Sequence, residues 1–176
     1  MVSWKRKMIF KRMVFIMKKR WAIYILVGIL FGVFDFYYQE FTQGIITSTI
    51  AWFMVAWSVW LVPVIPIVLY ESKTSESVVK SVFANILVWS VSVISYYMYI
   101  PIKLVFIGQS TMLDFYISNY KSQFYWSNLK SLIWGLISED VPEWLVVAIL
   151  GGLIVGFCIS FLYLRWRKLS NIKIRL

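Results

Sequence analysis

The chain has 176 residues, of which 61% are hydrophobic and 15% are charged, with a mean hydropathy of +0.75. That much apolar surface exceeds what a soluble domain of this size can bury, so the composition excludes an ordinary water-soluble enzyme or regulator. The net charge is +10, but no nucleic-acid-binding motif accompanies it. One cysteine, Cys158, and no histidine exclude intrachain disulfides, His-based triads and thiolate or imidazole metal sites, so we expect no cofactor.

Residues 1–20 alternate clusters of basic side chains with clusters of apolar ones. Two structures fit this pattern: an amphipathic helix lying in the cytoplasmic headgroup region, or a cytoplasmic extension of the first spanning helix. The basic start followed by an apolar run has the outline of a signal peptide, but residues 35–39 lack the small side chains that cleavage requires. We therefore expect this part of the chain to remain as an anchor.

Four apolar segments follow, each long enough for a helix to cross a bilayer, which takes about 20 residues. They cover residues 21–38, 45–70, 79–102 and 143–164. The loops predicted at 41–44 and 71–77 are too short to hold a soluble active site. The sequence thus predicts an all-α integral membrane protein in which residues 21–170 form one domain of four transmembrane helices.

The first segment carries its small and acidic residues on one face. Gly28, Gly32 and Asp35 fall within a narrow arc of an ideal helix. Glycines four residues apart let two helix backbones approach closely, and a carboxylate within a span is costly unless it faces protein or water. This face is therefore predicted to point at protein.

The second segment contains Pro63 and Pro66, which remove two backbone donors from the helix. They predict a bend near the cytoplasmic third of this segment. Such a break can expose carbonyl groups to an ion path, but a structural role is the more common one and is favoured here.

The third segment carries a polar stripe along its whole length. Its members lie within about 60° of arc on a helix of 3.6 residues per turn: Ser81, Asn85, Ser92, Tyr96, Tyr99 and Lys103. Such a stripe can line a solute path, but for Ser and Tyr it more often forms hydrogen bonds between helices. Asp35 is expected at a similar height to Tyr99 and Lys103, which predicts an ion pair between Asp35 and Lys103. The candidate intramembrane polar site therefore comprises Asp35, Asn85, Tyr96, Tyr99 and Lys103.

The outer region, residues 108–142, is as rich in aromatic side chains as the spans. Apolar residues from Leu129 to Ile137 recur at helical spacing, which predicts an amphipathic helix lying flat at the outer interface, with a partly re-entrant course as the alternative. Asp140 and Glu143 form a capping pattern around Pro142, so the fourth spanning helix is predicted to begin there.

The fourth segment has its own ridge of small residues, formed by Gly152, Gly156 and Ser160. This ridge could pack on the glycines of the first segment, either within one chain or between subunits of a homo-oligomer, and packing within the chain is the default. Residues 171–176 are a short basic tail that faces lipid or a partner.

The charges are distributed unevenly about the four segments. Fifteen of the 18 Lys and Arg precede the first segment, lie between the second and third or at the start of the third, or follow the fourth. By the positive-inside rule both termini are predicted to be cytoplasmic and the number of spans to be even. We expect an integral protein of a bacterial cytoplasmic membrane whose basic face contacts anionic lipid headgroups or a partner protein.

The sequence contains no phosphate-binding loop, nucleophile elbow or acidic metal motif, so a catalytic role has little support. The leading hypothesis is a non-enzymatic membrane subunit: an oligomeric channel-like or sensor component, or the transmembrane part of a transport complex, working with a cytoplasmic partner. One alternative is a holin-like protein that forms pores or disrupts membranes. Another is a small-solute carrier component with its site between the first and third spans. Direct binding of nucleic acid is not expected.

Overall fold

The computed structural model is all-helical: 87% of the chain is helix, and the described residues contain no strand. It describes the backbone of residues 2–110, 112, 115–118 and 121–173, and the side chains of 19–110, 112, 115–118 and 121–170. The amphipathic character predicted for residues 1–20 and the nature of the tail at 171–176 therefore concern side chains that lie outside the described residues, apart from Lys19 and Arg20.

The described residues form six α-helices: α1 (Val2–Ile45), α2 (Thr49–Ser58), α3 (Leu61–Ser75), α4 (Val78–Phe106), α5 (Tyr125–Gly135) and α6 (Val141–Lys173). A π-helical turn, Leu136–Asp140, joins α5 to α6. Four helical stretches are long and apolar enough to cross a membrane, namely Lys19–Ile45, Thr49–Ser75, Val78–Phe106 and Tyr125–Ser170. The predicted number of spans is therefore matched by the helices, although the bounds differ.

Helix α4 lies at the centre of the bundle and packs against α1, α3 and α6. Gly28 and Gly32 lie against Val88 and Ser92 respectively, so α1 and α4 run in the same direction. Gly152 and Gly156 lie against Ile86 and Val82, in reverse order, so α6 runs antiparallel to α4. The four candidate spans thus alternate in direction.

Two ion pairs identify the end of the bundle at which the first span starts and the fourth ends. Arg20 contacts Glu71 at 3.3 Å, and Arg167 contacts Glu76 at 2.9 Å. We call this the Arg20 end and the opposite one the Glu40 end. The common location of these two helix ends is the arrangement that an even number of spans requires.

Helix α1 is continuous from Val2, so the backbone follows the second interpretation of residues 1–20, an extension of the first spanning helix. Its other end also differs from the prediction, because the loop expected at 41–44 is the last turn of the helix. The polar residues there have helical partners: the Thr42 hydroxyl donates to the Tyr38 carbonyl at 2.9 Å, and Gln39 bonds to Asp35. The polar side chains of Thr42 and Gln39 therefore form hydrogen bonds within the helix and do not indicate a loop.

The second span is interrupted, but one turn earlier than its prolines. Helix α2 ends at Ser58 and α3 begins at Leu61, which places the break at Val59 and Trp60. Proline has no N–H to donate to the carbonyl four residues earlier, and its ring crowds that carbonyl. For Pro63 the carbonyl concerned is that of Val59, which instead accepts from the Val62 N–H at 3.0 Å. The structure thus shows an interruption of the helix at the residue whose carbonyl loses its hydrogen bond, ahead of the two prolines.

Helix α6 begins at Val141, within the boundary predicted around Asp140 and Pro142, but there is no free helix end there to cap, because helix runs without a gap from Tyr125 to Lys173. The Val141 N–H donates to the Leu136 carbonyl, five residues earlier, immediately before the proline. Since Pro142 cannot donate to the preceding turn, that turn widens into a π-helix instead of ending the helix. The capping pattern therefore lies inside a continuous helix.

The predicted outer helix is present as α5, and its apolar side packs on protein. Tyr125, Leu129 and Leu136 are buried in one cluster with Phe36 of α1 and Ile100 of α4. The Tyr125 hydroxyl donates to the Leu104 carbonyl at 3.1 Å. Tyr120, an aromatic residue of the same region, lies outside the described residues. Helix α5 thus covers the Glu40 end of α4.

Candidate functional site

Glycine contacts hold α1 directly on the backbone of α4. A Cβ atom added at Gly32 would lie 2.3 Å from the Ser92 carbonyl oxygen, and one added at Gly28 would lie 2.9 Å from that of Val88. The Ser95 hydroxyl donates across the contact to the Ile29 carbonyl at 2.9 Å. Because the two helices cannot rotate or slide without a clash, this contact fixes the direction in which Asp35 points.

The second ridge of small residues packs on α4 as well. A Cβ atom added at Gly152 or at Gly156 would meet α4 backbone atoms at 3.1 Å. Ser160 is fully buried and bonds within its own helix. The two ridges therefore do not pack on each other, which was one possibility from the sequence; each contacts a different face of α4. Both are used for packing within the chain.

Asp35 is completely buried and has a single hydrogen-bond partner. Its Oδ2 accepts from Gln39 Nε2 at 2.9 Å, and its Oδ1 has no partner. No cation among the described side chains lies within ion-pair distance of it. The prediction that Asp35 faces protein is confirmed.

The predicted ion pair between Asp35 and Lys103 is wrong, because Lys103 pairs with Glu40. Its Nζ lies 2.5 Å from both carboxylate oxygens of Glu40 and 4.9 Å from the centre of the Phe36 ring. Gly32 is level with Ser92, so Asp35 is level with Ser95, and Lys103 lies about 12 Å further along the axis at 1.5 Å per residue. Glu40 is nearer to Lys103 in height.

Asp35 lines a cavity of about 170 Å³ at the place where all four candidate spans meet. Helices α1, α2, α4 and α6 contribute to its wall, together with the α2–α3 break. Five of its lining residues are tryptophans: Trp52, Trp57, Trp60, Trp89 and Trp144. Gln39, the partner of Asp35, also lines it. The cavity therefore combines one carboxylate and one amide with a mainly aromatic wall.

The tryptophans form two ring pairs in this wall. Trp60 and Trp89 have centroids 5.7 Å apart, and Trp57 and Trp144 have centroids 5.8 Å apart, both pairs tilted by less than 40°. Trp52 adds a buried indole N–H without a hydrogen-bond partner. Two residues of the wall, Asp35 and Trp52, thus each carry a buried polar atom without a partner, the acceptor Oδ1 and the donor Nε1 respectively.

The structure divides the predicted polar site into three places. Asp35 and Tyr96 line the cavity, and the Tyr96 hydroxyl donates to Gln39 Oε1 at 3.3 Å. Tyr99 and Lys103 lie toward the Glu40 end, where the hydroxyl groups of Tyr99 and Tyr37 share a hydrogen bond. Asn85 packs on α6, with its Nδ2 donating to the Gly152 carbonyl at 2.8 Å. Most of the stripe therefore joins helices, as favoured from the sequence.

Glu71, which falls in the loop predicted at 71–77, is a buried residue of α3. Its Oε2 accepts from the Tyr24 hydroxyl at 2.7 Å and from Arg20 at 3.3 Å. The five cavity tryptophans were also missed as a group, because they lie in different segments and tryptophan is usual at membrane interfaces. The available signal was the total of 10 tryptophans, which is high for 176 residues.

Among the described residues no group of His, Cys, Asp or Glu side chains is arranged to hold a metal ion. The chemistry that the cavity offers is noncovalent: a carboxylate oxygen, an indole N–H and aromatic ring faces. Comparison of this chain with protein-family models, with curated proteins and with solved structures gave no match.

Proposed function

We propose that this chain is a non-enzymatic integral membrane subunit that binds a small solute between its four spans, as a carrier component does. The observation that carries this proposal is the cavity at the meeting point of the spans, with the unpartnered Asp35 oxygen in its wall. Ligand sites in membrane bundles occur where polar groups converge away from lipid, and an ionisable residue in a span is a functional candidate.

The contacts of the polar stripe favour a binding site over a permanent channel. Ser81 bonds to Ser72 of α3 at 2.8 Å, Asn85 bonds to α6, and Lys103 bonds to Glu40 of α1. These polar groups join helices and do not line a common path. The same contacts argue against the holin-like alternative, for which purified chain in liposomes would release a trapped dye. We expect no release.

The proposed orientation places the Arg20 end in the cytoplasm by the positive-inside rule. Lys73, Lys80, Arg165 and Lys168 are exposed near this end, where anionic headgroups or a cytoplasmic partner would contact them. The glycine ridges are already used inside the chain, so a homo-oligomer would need another surface. Labelling of Ser122→Cys in a Cys158→Ser background tests the orientation, and reaction only from the cytoplasmic side would overturn it.

A cavity-filling pair of variants tests solute binding. Ala56 is buried and lines the cavity, whereas Ala51 is exposed on the same helix, so Ala56→Leu and Ala51→Leu form a matched pair. The probes are three molecules of one size and different charge: benzyl alcohol, benzylammonium and benzoate. Binding is followed by tryptophan fluorescence and by the thermal midpoint of the purified protein in detergent.

We expect at least one probe to bind saturably to the wild type and to Ala51→Leu, and to bind Ala56→Leu much more weakly. If Ala56→Leu does not fold, Val93→Leu, at another lining position, replaces it. Absence of saturable binding by all three probes, or equal binding to the filled and control variants, would refute the proposed function.

A further inference from the structure

We propose that the cavity takes an organic ammonium ion, with the positive group against Asp35 and the apolar body among the tryptophan rings. The inference rests on the proposed function, whose solute class it specifies. It follows from three properties of the cavity: the state of its carboxylate, the chemistry of its wall and its size.

The carboxylate is the first property. Asp35 is 0% exposed, accepts one hydrogen bond from a neutral amide and leaves Oδ1 without a partner. Buried acidic groups normally have a cation or several donors, because an uncompensated one is costly. Glu71, the other buried carboxylate among the described residues, has both a guanidinium and a hydroxyl as partners. An ammonium group with an N–H directed at Oδ1 supplies what Asp35 lacks.

The wall is the second property. Tryptophan presents the most favourable aromatic face to a cation, and cages of several aromatic rings are a common way to bind alkylated ammonium groups. Five tryptophans from three different helices and the α2–α3 break surround this cavity, two pairs of them in ring contact. An anion would meet the negative faces of these rings and the Asp35 carboxylate, so both parts of the wall select for positive charge.

Size is the third property. A dry cavity of about 150 Å³ is known to hold one benzene molecule, and this cavity measures about 170 Å³. The occupant is therefore an ammonium group on an apolar body comparable with one aromatic ring. Phe53, which lines the cavity, is also 54% exposed at the surface of the bundle.

An ammonium group could come from a free amine or from the headgroup of an aminolipid. The chemistry at Asp35 is the same in both cases. The two sources differ in their response to the surrounding bilayer, because only the lipid headgroup changes in amount with membrane composition. The test below therefore includes membranes with and without phosphatidylethanolamine.

The test compares benzylammonium with benzyl alcohol, which has the same ring and no charge. For the wild type in detergent we expect benzylammonium to bind at least about 30-fold more tightly, the ratio that corresponds to losing one partner of a buried charge pair. Asp35→Asn should abolish this preference. Glu143→Gln, which neutralises an exposed carboxylate next to the cavity residue Trp144, is the matched control and should keep it.

A second variant tests the aromatic wall independently of the carboxylate. Trp144→Leu should weaken benzylammonium by about 2- to 30-fold and benzyl alcohol by less, because only the cation gains from the ring face. In nanodiscs of equal surface charge, made of phosphatidylglycerol with either a neutral glycolipid or phosphatidylethanolamine in the same proportion, weaker binding of benzylammonium in those with phosphatidylethanolamine would identify the lipid headgroup as the source. Equal binding in both would identify a free amine.

The result that would overturn the inference is equal affinity of benzylammonium and benzyl alcohol, or an unchanged preference in Asp35→Asn. In that outcome the proposed function stands, because a neutral solute still binds in a manner sensitive to Ala56→Leu. If none of the probes binds, the proposed function itself fails. The two failures are therefore distinguishable in one set of titrations.

Discussion

Two buried carboxylates of this bundle have opposite surroundings. Glu71, at the Arg20 end, is 1% exposed, and one of its oxygens accepts from both Arg20 and Tyr24. Asp35, in the cavity, is 0% exposed and has only the Gln39 amide. Both residues lie in segments that could span a membrane. The contacts of Glu71 join α1 to α3, and their contribution to the stability of the fold explains them.

The arrangement around Asp35 is not explained by stability, because replacing an unpaired buried carboxylate by an apolar or neutral group is often neutral or stabilising. A position that is suboptimal for folding and lines a cavity is typical of a binding site. The proposed binding site rests on this difference between the two carboxylates, although both are acidic residues within apolar segments. Four measurements test this difference between Glu71 and Asp35.

The largest effect is expected from the glycine contact that keeps Asp35 in its place. Gly32→Leu would force a side chain into the Ser92 carbonyl, and we expect a loss of about 3 kcal/mol or more, or no folded protein. Gly44→Leu is the control on the same helix, because an added Cβ there meets nothing within 4 Å. Equal thermal midpoints of the two variants in detergent would show that α1 does not pack closely on α4.

Neutralising Glu71 should have the next largest effect. In Glu71→Gln the Arg20 guanidinium and the Tyr24 hydroxyl lose their charged acceptor, which should cost about 1.5 to 3 kcal/mol. Glu76→Gln breaks the more exposed pair with Arg167 at the same end and should cost less than about 1 kcal/mol. The free energies of unfolding in mixed micelles give both values. If Glu71→Gln is as stable as Glu76→Gln, then Glu71 does not have the structural role described above.

A double-mutant cycle tests whether Lys103 belongs to Glu40 and not to Asp35. Glu40→Gln leaves Lys103, whose side chain is 8% exposed, without its carboxylate, and we expect a loss of about 1 to 3 kcal/mol. Adding Lys103→Met should recover part of this loss, since the buried charge is then removed. The same cycle with Asp35→Asn in place of Glu40→Gln should show no coupling, and coupling there would restore the ion pair predicted from the sequence.

The smallest effect on stability is expected for Asp35 itself. Asp35→Asn keeps an oxygen that accepts from Gln39, and Oδ1 had no partner to lose, so the change should be within about 1 kcal/mol in either direction. Asp35→Leu should also fold, because Lys103 does not depend on Asp35. A loss as large as that of Glu71→Gln would show that Asp35 supports the fold and would weaken the case for a binding site.

The sequence pattern was enough to predict which face of α1 points at protein, because that face is set by residues of the helix itself. Glycines at i and i+4 and a carboxylate three residues later lie on one side of any helix. The carboxylate makes contact with lipid costly on that side, and the glycines favour close contact with the backbone of another helix. The same reasoning failed for the helix ends. The sequence offered a polar loop at 41–44 and a cap at Asp140, but in the fold Thr42 and Gln39 find helical partners, and Pro142 is accommodated by a π-helical turn.

Sequence alone was enough to predict four long apolar helical segments with Gly28, Gly32 and Asp35 facing protein, and it favoured hydrogen bonding between helices for the polar residues of the third segment. These properties depend on segment length and on the 3.6-residue period, which each segment carries alone. The packing of the helices was needed to show that Lys103 meets Glu40, that Glu71 meets Arg20, and that five tryptophans from α2, α4, α6 and the α2–α3 break line one cavity with Asp35. Such pairings depend on the axial offset between helices and on the break at Val59, which are set by how all the helices pack together.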